Sequence, residues 1–168
     1  MRAPVAPRRG VADPRILSAF AEVPREAFLP AELAARAYED TALPIGLGQT
    51  ISQPSMIALM LQALECSPRH RVLEVGAGSG YVLALLSQLG CEVFGIERHA
   101  ELAARATETL RSIGVKDVVV EAGDGTRGLP AHAPFDRILV SAGAAAIPEA
   151  LLAELAEGGR LVMPVGGA

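Results

Sequence analysis

Residues 71–81 read Arg71-Val72-Leu73-Glu74-Val75-Gly76-Ala77-Gly78-Ser79-Gly80-Tyr81. A short apolar run of strand character meets three glycines at alternate positions. A helical pattern of Val82, Leu85, Leu86 and Leu89 follows, closed by Gly90. Glycine lets a backbone turn tightly and approach a ligand with no Cβ in the way. A helix opening behind such a turn presents free N–H groups to that ligand. The dinucleotide fingerprint has its glycines at the first, third and sixth positions. Here they fall at the first, third and fifth, and Tyr81 takes the sixth. That departure disfavours a nicotinamide-dependent oxidoreductase.

Outward from this turn the same alternation repeats. Further apolar runs stand at 91–96, 117–120, 135–140 and 160–165. Helical spacing fills the gaps, with Leu102, Ala106, Leu110 and Ile113 over 98–113 and a helix over 148–157 beginning at Pro148. Glu101 stands four residues before Arg105, a spacing that supports a helix by ion pairing. Strands alternating with helices of this length predict right-handed crossovers and a mostly parallel sheet, a doubly wound α/β domain. Upstream, 15–39 reads as short helices broken at Pro24 and Pro30, and 41–53 as an uncharged Gly/Pro/Gln loop. A helix starts near Pro54 with Met56, Ile57, Met60, Leu61 and Leu64 as its buried face. Met163 is also read as core. Residues 1–14 read as a flexible arm, 15–66 as an N-terminal helical cap with a substrate loop, and 67–168 as the cofactor-binding α/β core of a single domain.

The composition agrees. The chain has 168 residues, 51% hydrophobic and 20% charged, which is globular and excludes general disorder. Fifteen basic against nineteen acidic residues give a net charge of −4, with no chain-wide attraction for nucleic acid. Cys66 and Cys91 are too few for a disulfide framework or a metal site and read as small hydrophobes in a reducing compartment. The uncharged stretch after Asp40 is interrupted by Pro44, Gly46, Gly48 and Pro54, so no membrane span is read there. The N-terminus lacks the apolar segment of a signal peptide, and a cytoplasmic location is the expectation. His70, His99 and His132 are scattered without metal-ligand spacing, so no metal and no catalytic histidine is expected.

Ligands of a doubly wound sheet bind at the carboxyl ends of its strands. Besides the glycine turn, two acidic residues fall at such ends. Glu97 ends the second strand and can accept from both hydroxyls of a ribose, or can simply neighbour the next helix. Asp124, in Ala122-Gly123-Asp124-Gly125, is either a ligand contact or an ordinary turn residue. Three ligand-competent turns at successive strand ends are more specific than any one alone.

Together, the turn at 73–81, Glu97 and Asp124 resemble the S-adenosylmethionine site of Rossmann-like class I methyltransferases. The segment Leu43-Pro44-Ile45-Gly46-Leu47-Gly48-Gln49-Thr50-Ile51-Ser52-Gln53-Pro54 resembles, more narrowly, the signature of protein-L-isoaspartate O-methyltransferases. Val23-Pro24-Arg25-Glu26-Ala27-Phe28, Ala37-Tyr38-Glu39-Asp40, the strand 135–140 and residues 157–166 fit the same family. The resemblance implies a repair enzyme that methylates the α-carboxylate of L-isoaspartyl residues in damaged proteins, the ester then collapsing to a succinimide. It implies that Gly76, Gly78 and Gly80 line the methionine part of S-adenosylmethionine, with Glu74, Ala77, Ser79 and Arg98 beside them. Glu97 would hold the ribose, and Asp124 with Gly125 the adenine. It also implies that Ser52, flanked by Ile51 and Gln53, contacts the substrate carboxylate, S-adenosylhomocysteine being the product.

A carboxylate is already ionised at pH 7, so such a site needs placement more than acid–base chemistry. Ser52 is then a positioning group, and its local alternative is a helix N-cap before Pro54. Two other functions stay open: a methyltransferase with a different acceptor, and a cofactor-binding domain without turnover. The family continues with further strands beyond the point matching Ala168, so the fifth strand is expected as an exposed edge and the family's C-terminal strands as missing. The alanine-rich segment 142–146 stands where the family has a proline-containing one. Oligomeric state is not legible.

Overall fold

The computed structural model describes residues 10–143 and 146–164. A five-stranded, wholly parallel sheet forms its centre, in spatial order β5-β4-β3-β6-β7. The strands are β3 (Arg71–Val75), β4 (Glu92–Glu97), β5 (Val118–Ala122), β6 (Phe135–Val140) and β7 (Leu155–Val162). The chain winds from β3 outward to β5, then returns to the other side of β3. That reversal opens the crevice in which doubly wound sheets bind ligands. The intervening helices are α3 (Tyr81–Gln88), α4 (Ala100–Ser112) and α5 (Glu149–Ala153).

Both faces of the sheet are covered, as a parallel sheet requires. Val72 and Val93 point into a core shared with the helices of the N-terminal segment, α3 and α4. Leu73, Val75, Phe94 and Ile96 point the other way, onto Leu129, Phe135, Ile138 and Leu151. The cap comprises α1 (Pro14–Glu22), two 3-10 turns (Arg25–Phe28 and Ala31–Arg36) and α2 (Pro54–Leu64). Asp13 caps α1 by accepting from the Arg15 N–H.

Several expectations need correction. Residues 41–53 are not a plain loop, because Leu43–Gly46 (β1) and Gln49–Ile51 (β2) pair as an antiparallel hairpin. Its two-residue turn has positive φ at both Leu47 (53°) and Gly48 (70°), the signs a type I′ hairpin turn requires. The helix expected over 148–157 ends at Ala153, and the last strand begins at Leu155. Pairing passes from Phe135–Leu155 to Arg137–Arg160, so Ala156–Gly159 bulge out of the ladder around Gly158, whose φ is +74°. Met56 is 43% exposed, with Ala58 taking its place on the buried face of α2, while Met60 and Met163 are only partly buried. Met56 lies about 100° around the helix from Ile57, off the stripe formed by Ile57, Ala58, Leu61 and Leu64. In the expected flexible arm, Ala12 N–H donates to Gln62 on α2 (2.6 Å) and helix begins at Pro14; residues 1–9 lie outside the described residues. β7 lies at one edge of the sheet and β5 at the other.

Candidate active site

The turn after β3 is fixed by its backbone. Gly76 and Ala77 donate to the Ile96 carbonyl at the end of β4, at 2.9 and 3.2 Å. Gly76 has φ +83° and lies against Ala142, where an added Cβ would come 3.3 Å from the Ala142 backbone nitrogen. Gly80 has φ +87°, and an added Cβ there would lie 3.0 Å from Ala106 of α4. The turn therefore requires glycine at both positions, for different reasons. Gly76 keeps the crevice open, whereas Gly80 lets α3 approach α4 and does not itself line the cleft.

Glu97, at the end of β4, is 5% exposed. One carboxylate oxygen accepts from the Gly78 N–H (2.8 Å) and the other from the His99 N–H (2.9 Å). The side chain is thus aimed at the glycine turn, with lone pairs remaining on both oxygens. Arg98, Asp124, Gly125 and Ala142 line a cleft of about 220 Å³ together with Gly76 and Ile96. Asp124 is exposed there and caps the following 3-10 turn, accepting from the Thr126 N–H (3.0 Å) and hydroxyl (2.7 Å). Those bonds hold its carboxyl below the ordinary carboxylate range.

Glu74, one residue before the end of β3, is fully buried. Ser141, at the end of β6, donates to one of its oxygens (2.6 Å), and the other oxygen has no partner. Burial pushes its carboxyl up to about 8 against the pull of Ser141, and the nearby Glu97 adds to the rise. A half-satisfied buried carboxyl invites a donor or a cation. It borders a narrow cleft of about 40 Å³, lined also by Gly76, Ala77, Gly78, Ser79, Ile51 and Ser52. Gly76 borders both clefts, so the two meet at the glycine turn and together form the crevice beside it.

The hairpin closes the narrow end. Ile45 packs so closely on the glycine turn that a Cβ on Gly78 would lie 3.3 Å from its methyl. Ser52 follows β2, and its hydroxyl makes no hydrogen bond among the described residues. The N-cap alternative for it is not observed. Gln53 is the N-cap of α2 and offers no side-chain cap, while Asp40 accepts from the Ser55 N–H (2.9 Å). Gln53 accordingly bonds Ser55 (3.1 Å) and stands outside the cleft. Glu101 and Arg105 form no ion pair among the described residues; Arg105 reaches the Ile45 carbonyl instead (3.2 Å). Ser141, Arg25 and Arg105 are site neighbours that sequence reasoning missed. Ser141 had a signal, its place at the carboxyl end of the strand beside the switch point. Arg25 had only its place in the family-like stretch 23–28, and Arg105 had none.

A larger cavity, about 610 Å³, lies elsewhere, between Asp13, Arg15, Gln62, Cys66 and Arg137, and shares no residue with the crevice. Among the described residues no cluster of three or more potential metal ligands occurs, and no helix is long and apolar enough to cross a membrane.

The family model for protein-L-isoaspartate(D-aspartate) O-methyltransferase matches residues 5–168. The chain belongs to that family. The protein-L-isoaspartate O-methyltransferase of Roseiflexus castenholzii is 55% identical over 160 residues, 95% of this chain and 73% of the relative. A solved protein-L-isoaspartate O-methyltransferase superposes with a TM-score of 0.84 at 35% identity, covering 93% of this chain and 51% of the other. A Plasmodium falciparum β-aspartate methyltransferase (PCMT), in complex with S-adenosyl-L-homocysteine, superposes equally well, with a TM-score of 0.84 at 26% identity. It covers 99% of this chain and 86% of its own. The isoaspartate methyltransferase match thus spans cap, hairpin and sheet alike, and the chain spans about half of one solved member and about three quarters of the Roseiflexus relative.

Proposed function

We propose that this chain transfers a methyl group from S-adenosylmethionine to the α-carboxylate of L-isoaspartyl residues in damaged proteins, a repair reaction carried out in the cytoplasm. The observation that carries the reading is the shared cleft. The hydroxyl of Ser52, which bonds nothing among the described residues, and the half-satisfied carboxyl of Glu74 border one narrow space across the glycine turn.

The residues fit the cofactor. Glu74 offers an orphaned acceptor to its cationic amino-acid end, and Gly76 and Gly78 present a surface without Cβ atoms. Glu97 retains lone pairs for ribose hydroxyls. Arg98, Asp124 and Gly125 line the wider cleft, which suits the adenine. S-adenosylmethionine supplies a sulfonium methyl that is already activated. What remains for the protein is to hold an ionised carboxylate in line and exclude water. Ser52 does the first by donating its hydroxyl hydrogen, with Ile51 beside it in the same cleft. The Ile45 contact over Gly78 does the second.

The test is methyl transfer from S-adenosylmethionine to paired peptides differing only in an isoaspartyl or a normal aspartyl linkage. Transfer confined to the isoaspartyl peptide is the expected result. Equal methylation of both, or transfer to neither with cofactor binding intact, would contradict the proposal.

A further inference from the structure

Arg25 is the bulkiest of the fully buried side chains, at 1% exposure. No carboxylate among the described residues lies within ion-pair distance of it. Its guanidinium stacks 5.1 Å from the centre of the Tyr81 ring, on the first residue of α3. Its Nε donates to the Ala37 carbonyl (2.7 Å) and one terminal nitrogen to the Ser52 carbonyl (3.0 Å), while the other has no partner. A buried cation with no carboxylate in direct contact, Asp40 acting on it only from a longer range, costs more than an apolar side chain of equal volume. Its contribution therefore lies in what it bonds, and one of those bonds ends on the acceptor serine's own backbone.

A second grip comes from the same segment. Asp40 stands three residues after Ala37 and holds the Ser55 N–H at 2.9 Å, supplying the cap that Gln53 lacks. The stretch 52–55 is therefore clasped at both ends, by Arg25 at its carbonyl and by Asp40 at its amide. Arg105 from α4 takes the Ile45 carbonyl on the opposite strand of the hairpin (3.2 Å). Within the hairpin itself only the short β1–β2 ladder is available to fix this geometry.

We infer that Arg25 and Asp40 form a brace that sets the position of Ser52, making both of them positioning residues for the acceptor carboxylate. The inference deepens the proposed function and rests on it for the identity of the acceptor. Arg25 meets the glycine turn only through the Tyr81 ring, and the Gly76 and Ala77 backbone there is fixed by its own bonds to Ile96. Loss of the brace should therefore separate acceptor binding from cofactor binding.

The experiment compares the parent chain with Arg25→Met and Asp40→Ala. It measures amide hydrogen exchange over residues 50–55, S-adenosylhomocysteine affinity, and KM and kcat for an isoaspartyl peptide. In both variants exchange over 50–55 should quicken by about tenfold or more, with residues 76–80 unchanged. KM should rise by about fivefold or more, with cofactor affinity held within about twofold. A merely destabilised chain would lose active fraction, lowering kcat and leaving KM alone. Unchanged exchange over 50–55 would overturn the brace, and quickened exchange with unchanged KM would overturn its role in positioning. If Arg25→Met does not fold, Asp40→Ala carries the test, since Asp40 is exposed. A parent that binds S-adenosylhomocysteine but methylates no isoaspartyl peptide defeats the functional reading instead, and the exchange measurement then decides the brace alone.

Discussion

The two halves of the crevice are built in opposite ways. On the side proposed for the cofactor, Glu97, Gly76 and Asp124 hold their geometry through bonds within the strand ends and the turns that follow them: Glu97 to the Gly78 and His99 amides, Gly76 to Ile96, Asp124 to Thr126. On the side proposed for the acceptor, the hairpin carries Ser52 on a short ladder, and this stretch is clasped from outside the ladder by Arg25, Asp40 and Arg105. A cofactor site made of strand ends comes with the fold, whereas the acceptor site is an attachment that the fold must secure. Mutations on the two sides should accordingly fail differently, the first in cofactor affinity and the second in turnover.

The largest expected effect on the cofactor side is at Glu97. Glu97→Gln puts an amide NH₂ against either the Gly78 or the His99 N–H and weakens the bonds to a ribose. Cofactor binding should fall by roughly 1–3 kcal/mol, read by titration calorimetry with S-adenosylhomocysteine. Unaltered affinity would remove Glu97 from the ribose and blur the contrast.

Glu74 sharpens the contrast through pH. Its carboxyl, pushed up to about 8 by burial, is protonated at pH 7 in the free protein. A group raised in this way stabilises the fold fully below its unfolded value, the ordinary 4.5, and that contribution is lost as pH rises through about 8. The cofactor's ammonium favours the ionised form, so binding should release a proton below pH 8. Affinity should climb by at most about tenfold per pH unit and flatten above that point. Calorimetry in buffers of different ionisation enthalpy checks the proton release, and Glu74→Gln should abolish both it and the pH dependence.

Asp124 should matter least. It is exposed and caps only a three-residue turn, so Asp124→Ala should cost little stability and lower cofactor affinity only a few-fold. A collapse of the melting transition without ligand would make it a structural residue instead.

The same division explains what could be read in advance. The strand-turn-helix from Arg71 to Gln88, Glu97 at its strand end and the order of elements through β6 follow local patterns, namely apolar period, glycine spacing and helix stops. The hairpin escaped because its turn uses Leu47 at positive φ, where the residue type gives no warning, and because Pro44 and the glycines read as loop. The last strand was placed too late because Ala156–Gly159 bulge, and a bulge looks like a helix stop in sequence. Ser52 stands out in the loop signature, but the contacts that support it do not. Arg25 reaches Ser52 across 27 positions of sequence and Arg105 reaches Ile45 across 60, distances at which periodicity carries no information.

The central claim, that cofactor and acceptor are held by separable structures meeting at one cleft, is tested most directly by Ser52→Ala. Its hydroxyl bonds nothing within the described residues and Asp40 supplies the helix cap, so melting temperature and S-adenosylhomocysteine affinity should match the parent. Turnover of the isoaspartyl peptide, measured alongside, should fall by about a hundredfold, the scale of a misplaced reactant. A Ser52→Ala chain that methylates the peptide at the parent's rate, or that loses cofactor affinity in step with turnover, would contradict the account.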